Sequence, residues 1–111
     1  CPGKNDWYET VKLNYGVDYV NGRIGHFNPV PGTWTKMLDI LLYWADKGVD
    51  GFRCDMAEMV PVEFWNWVIP KVKEKQAVCF IAEVYNTVTI FSTVILTICM
   101  IRLDCTIPCV R

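Results

Sequence analysis

At 111 residues, 52% of them hydrophobic, the chain suits one small globular domain and excludes a disordered segment. Its formal net charge is −1 and it has no basic run, so no nucleic-acid partner is expected.

The chain opens on Cys1-Pro2-Gly3-Lys4-Asn5-Asp6. It lacks the apolar core of a signal peptide, and a start at Cys instead of Met leads us to expect that the natural N-terminus lies further upstream. Six cysteines accompany a single His, with no CxxC pair, so no metal site is expected. Cys54 and Cys79 sit in apolar, strand-like runs and are expected as buried free thiols.

Val11, Leu13 and Tyr15 alternate with Lys12 and Asn14, which predicts a short half-buried strand. Turn signals follow at Asn21-Gly22, Gly25 and Pro31-Gly32. His26, among them, reads as a solvated loop residue. A helix then starts with Thr33 or Thr35 as its cap. Trp34, Met37, Leu38, Leu41, Leu42, Trp44 and Ala45 give it one apolar face, Lys47 lies in its last turn and Gly48 stops it. Residues 49–56 read as a strand. A second helix begins near Pro61, buries Phe64, Trp65, Val68, Ile69 and Val72, and carries Pro70 as an expected kink. Val78-Cys79-Phe80-Ile81-Ala82 is an apolar strand that ends at Glu83.

The order helix, strand, helix, strand predicts an α/β fold. The strands start about thirty residues apart, the span of a βαβ unit. Strands this apolar belong to a parallel sheet covered by helices.

Asp55 and Glu83 each fall at the carboxyl end of a predicted parallel strand. Carboxyl ends are where α/β barrels build their active sites. Two facing carboxylates about 5 Å apart are what a retaining glycosidase needs, one as nucleophile and one as acid and then base. Arg53, two residues before Asp55, points to the same side of its strand and would keep Asp55 ionised. Equally, Arg53 and Asp55 form a plain salt bridge, or either carboxylate caps the following helix.

These residues carry a resemblance. Gly51-Phe52-Arg53-Cys54-Asp55 resembles the second short motif of the α-amylase family, glycoside hydrolase family 13. Phe80-Ile81-Ala82-Glu83 resembles the third, in the right order and at a fitting separation. The helix from Trp34 to Lys47 resembles the one before the fourth barrel strand of bacterial members, and residues 10–15 resemble the return into the barrel. The likeness runs over about residues 6–86. It implies a partial (β/α)8 TIM barrel, about two βα units around strands 4 and 5, since a complete barrel needs roughly 250 residues.

The resemblance further implies action on an α-glucan or maltooligosaccharide, by hydrolysis of α-1,4-glucosidic bonds or, alternatively, by transglycosylation. A non-catalytic relative is a third reading. By motif position Asp55 is the nucleophile, Glu83 the acid/base and Arg53 the residue that orients the nucleophile; Tyr85 is placed to stack on sugar. No cofactor is implied, with calcium an option in an intact parent enzyme. Where many members carry Lys-His after the nucleophile, this chain has Glu58 and Met59. The first and fourth motifs are not in the chain.

Residues 87–111 form a separate apolar tail with three cysteines. Its uncharged run of about fifteen residues falls short of the roughly twenty of a membrane span, so no membrane partner is expected. The tail is compatible with translation out of frame, because the shifted codons around Leu96–Cys109 permit a polar-aromatic segment of the kind bacterial amylases carry there.

Overall fold

The computed structural model describes residues 12–84 in full and residues 98–102 as backbone. It is a mixed α/β arrangement of two helices and two small sheets. In chain order come β1 (Val17–Asp18), β2 (Ile24–Gly25), α1 (Gly32–Asp46), β3 (Gly51–Cys54), α2 (Val62–Lys75), β4 (Cys79–Val84) and β5 (Ile98–Arg102).

Residues 12–31 differ from the expected strand at 11–15, of which Val11 lies outside the described residues. The cause is local hydrogen bonding. The Asn14 carboxamide oxygen accepts the amides of Gly16 and Val17 at 2.7 and 3.0 Å, which turns the chain before a ladder can form. Gly16 allows that turn at φ +92°, where a Cβ would lie 2.8 Å from both the His26 carbonyl oxygen and Pro31. The antiparallel pair β1–β2 follows instead. Asp18 repeats the device, accepting the amides of Val20 and Asn21 and the Asn21 side chain at 3.0, 3.1 and 2.7 Å. These bonds, those from Asn21 first, hold the Asp18 carboxyl below its ordinary range.

α1 begins after Pro31, which takes an extended conformation that no side chain caps. Thr35, one of the two expected caps, instead donates its hydroxyl to the Gly32 carbonyl at 2.9 Å. Trp34 and Ala45 are buried, and Met37, Leu38, Leu41 and Leu42 pack around them. Trp44 departs from the expected apolar face and is 51% exposed. One residue is about 100° of helix, so a neighbour of the central Ala45 turns away from the core. Gly48 ends the helix as expected, at φ +92°.

β3 is shorter than the predicted run, because Met56 adopts φ 48° and turns the chain out of the sheet. A short 3-10 turn at Ala57–Met59 leads to Pro61, which stands just ahead of α2. Phe64, Val68, Ile69 and Val72 are buried as expected, and Trp65 is half-buried. The Trp65 indole donates to the Ala57 carbonyl at 3.1 Å. Pro70 sits on the exposed side, and the helix continues through it to Lys75.

β3, α2 and β4 form the predicted βαβ unit. β3 pairs in parallel with β4, Phe52 opposite Phe80, and β4 pairs in parallel with β5. Both helices pack on the face of this sheet that carries Phe52, Cys54 and Phe80. The opposite face carries Arg53 and Cys79, both exposed, with Gly51 and Ile81 half-buried. Cys79 therefore departs from the buried thiol expected for it: alternation along the strand places it away from the helices. Cys54, on the helix face, is half-buried, and both thiols are free.

Trp34, in the first turn of α1, packs edge-on to Phe64, in the first turn of α2, at 5.6 Å. The two helices thus start side by side. α2 begins just beyond the carboxyl end of β3, so both helix N-termini lie at that end of the sheet. The hairpin segment is tied there too: Tyr15 packs on Phe64 at 4.9 Å and its carbonyl accepts the Trp34 indole at 2.9 Å. Among the described residues no helix is long and apolar enough to cross a membrane. Most of the 87–111 tail lies outside the described residues, apart from the backbone of β5.

Candidate active site

The parallel ladder pairs Gly51 with Cys79, Phe52 with Phe80, Arg53 with Ile81 and Cys54 with Ala82. One step further along the same register stand Asp55 and Glu83. Adjacent strands run about 4.8 Å apart, so this register brings the two positions level at the carboxyl ends of neighbouring strands. Glu83 is still within β4, whereas Asp55 is the first residue of the turn after β3.

The two carboxylates occupy different surroundings. Glu83 is buried at 6% exposure between Ala82 and Val84, which are buried on the other face. Asp55 is exposed, and among the described residues its carboxylate has no hydrogen-bond or ion-pair partner. The environment thus separates a carboxyl shielded from water from one that meets it.

Arg53 reaches Glu83, with Nη2 2.6 Å from Oε2. Spacing along the strand predicts a guanidinium beside Asp55; the structure sends it across the ladder to Glu83 instead. The reason is the register: Arg53 lies opposite Ile81, and Glu83, two residues on, shares the face of Ile81. This contact with a charged donor offsets part of the cost of taking the Glu83 carboxyl group out of water. The parallel offset was the signal in the sequence that would have found the pair.

Tyr85 lies outside the described residues. Glu58 and Met59 lie in the 3-10 turn, where Met59 is 66% exposed. No group of three or more His, Cys, Asp or Glu side chains that could hold a metal ion occurs among the described residues. Asn14, Asp18 and Tyr19 were not singled out by the sequence reading. The signal for the first two was a side-chain acceptor placed two residues ahead of a turn amide.

The chain is similar to three bacterial proteins named α-1,4-glucan:maltose-1-phosphate maltosyltransferase. With that of Rhodospirillum rubrum it shares 40% identity over 54 residues, 48% of this chain and 8% of the relative. With those of Burkholderia pseudomallei and Pseudomonas aeruginosa it shares 32% over 93 residues, 77% of this chain and 8% and 14% of the relatives. The chain therefore spans only a small part of the relatives it matches. No family model matches it, and no solved structure matches it significantly. The relatives support a relationship to glycoside hydrolase family 13, the α-amylase family, and they are enzymes that their names connect with α-1,4-glucan and maltose 1-phosphate.

Proposed function

We propose that this segment is part of the catalytic barrel of a retaining enzyme that transfers α-linked glucosyl or maltosyl units to an α-glucan. Hydrolysis of α-1,4 bonds, which the motifs alone suggested first, is the second reading. The relatives' shared name favours transfer, and the two reactions differ only in whether a sugar hydroxyl or water accepts the unit. The segment would form about two βα units around strands 4 and 5 of a (β/α)8 barrel. Its helices cover one face of a parallel sheet, and the opposite face, carrying Arg53 and Ile81, would look into the barrel.

The observation that carries the reading is the register that sets Asp55 and Glu83 level at the carboxyl ends of β3 and β4. In the proposed reaction the exposed Asp55 carboxylate attacks the anomeric carbon. The bond to the leaving oxygen breaks as Glu83 gives that oxygen its proton. A glycosyl ester on Asp55 results, and Glu83 becomes a carboxylate. Arg53, already in contact with Glu83, holds it in place and stabilises that charge. An acceptor hydroxyl then attacks the same carbon, passes its proton to Glu83 and releases Asp55.

The test uses a full-length enzyme that carries this segment, assayed with maltose 1-phosphate and a maltooligosaccharide. Asp55→Asn and Glu83→Gln are each expected to lower turnover about a thousandfold or more, roughly 4 kcal/mol of transition-state stabilisation. Near-normal turnover in Asp55→Asn removes it from the nucleophile role. Lengthened glucans among the products support transfer; free reducing sugar alone supports hydrolysis.

A further inference from the structure

The hairpin segment encloses an open depression of about 430 Å³, lined by Asn14, Val17, Asp18, Tyr19, His26 and Pro31 among other residues. Its size falls in the range of small-molecule sites. It lies at the same end of the sheet as Asp55 and Glu83, because the hairpin runs directly into α1, whose N-terminus sits at the carboxyl end of β3. Neither carboxylate lines it.

The lining combines three kinds of group. Val17, Pro31 and the ring of Tyr19, 62% exposed, offer apolar surface. Asp18 brings an acceptor: among the described residues Oδ1 takes two backbone amides and Oδ2 only the Asn21 side chain, which leaves acceptor capacity on Oδ2. Asn14 has used its oxygen on two amides and keeps its NH2 as a donor. His26, in the same lining, adds an imidazole. An aromatic face beside a mixed set of donors and acceptors fits a ring with apolar C–H faces and hydroxyl edges. The lining includes an acidic side chain and neither Lys nor Arg, which disfavours a phosphate group.

From this placement and chemistry we infer that the depression is a second carbohydrate site, which seats a neutral glucosyl unit of an α-glucan and not its phosphorylated end. The inference rests on the glucan reading proposed above. It makes the hairpin a positioning element for a long chain, separate from the groups that break the bond.

The test is amide chemical-shift mapping of the 111-residue chain with maltoheptaose, and separately with inorganic phosphate. Saturable shifts at millimolar sugar that centre on residues 14–20 and 26, with none from phosphate, are expected. Tyr19→Ala should weaken binding about tenfold and Tyr19→Phe should keep it. Absent shifts, shifts centred elsewhere, or unaltered binding in Tyr19→Ala overturn the inference. The mapping of the unaltered chain decides even where a variant fails to fold. Failure of the glucan-transfer reading looks different: the full-length Asp55→Asn enzyme keeps its turnover, whatever the hairpin binds.

Discussion

The two faces of the β3–β4 sheet are made by alternate residues of the same strands, yet they follow different rules. On one, Phe52 and Phe80 stack at 5.5 Å beneath the two helices, and Phe80 is fully buried. On the other, Arg53 crosses to Glu83, and Cys79 faces solvent. The first face is held by loss of apolar surface from water, which any hydrophobic side chain of the right volume supplies. The second depends on one charge meeting another at a given step of the ladder. Stability is thus concentrated on the helix face, and the side chains suited to chemistry gather on the face that contributes less to it.

The largest test of that division compares adjacent residues of β4. Phe80→Ala should cost about 3–5 kcal/mol in urea unfolding, since a fully buried ring leaves a cavity. Ile81→Ala, half-buried on the other face, should cost about 1–2 kcal/mol. Equal losses would show that both faces are equally packed and would erase the contrast.

Arg53→Ala should be milder, about 1 kcal/mol, because the Arg53 side chain is 59% exposed and solvent screens much of its attraction. In a full-length enzyme the same change should lower turnover more than it lowers stability, if Arg53 holds Glu83 for proton transfer. Equal effects would reduce the pair to a structural contact.

The smallest effect separates the thiols. Burial pushes the Cys54 thiol up from 9.0 to about 11, which cuts its thiolate fraction at neutral pH about a hundredfold. Iodoacetamide near pH 8 should label exposed Cys79 well before Cys54, as read by peptide mass spectrometry. The Cys54 rate should keep rising with pH until about 11. Labelling of both at one rate would place Cys54 in solvent.

The sequence made the helix–strand–helix–strand order readable, because apolar spacing of three and four residues and continuous apolar runs are local properties of the chain. The buried face of α2 and the carboxyl-end placement of Asp55 and Glu83 came from the same source. Where the reading strayed, a local signal met a competing contact. The run up to Tyr15 alternates like a strand, but Asn14 captures two amides and makes a turn. Trp44 is apolar, but its angle around α1 carries it off the core.

What the sequence alone determined is which residues lie on which face of each element, since helix and strand periods are fixed by backbone geometry. What only the tertiary structure decided is which faces meet. It chose Glu83 over Asp55 as the partner of Arg53, left Cys79 exposed, and folded Asn14, Asp18, Tyr19 and His26 around one depression. Those outcomes depend on the register between strands and on turns closed by side chains, and both are settled by contacts between residues that the local pattern does not relate.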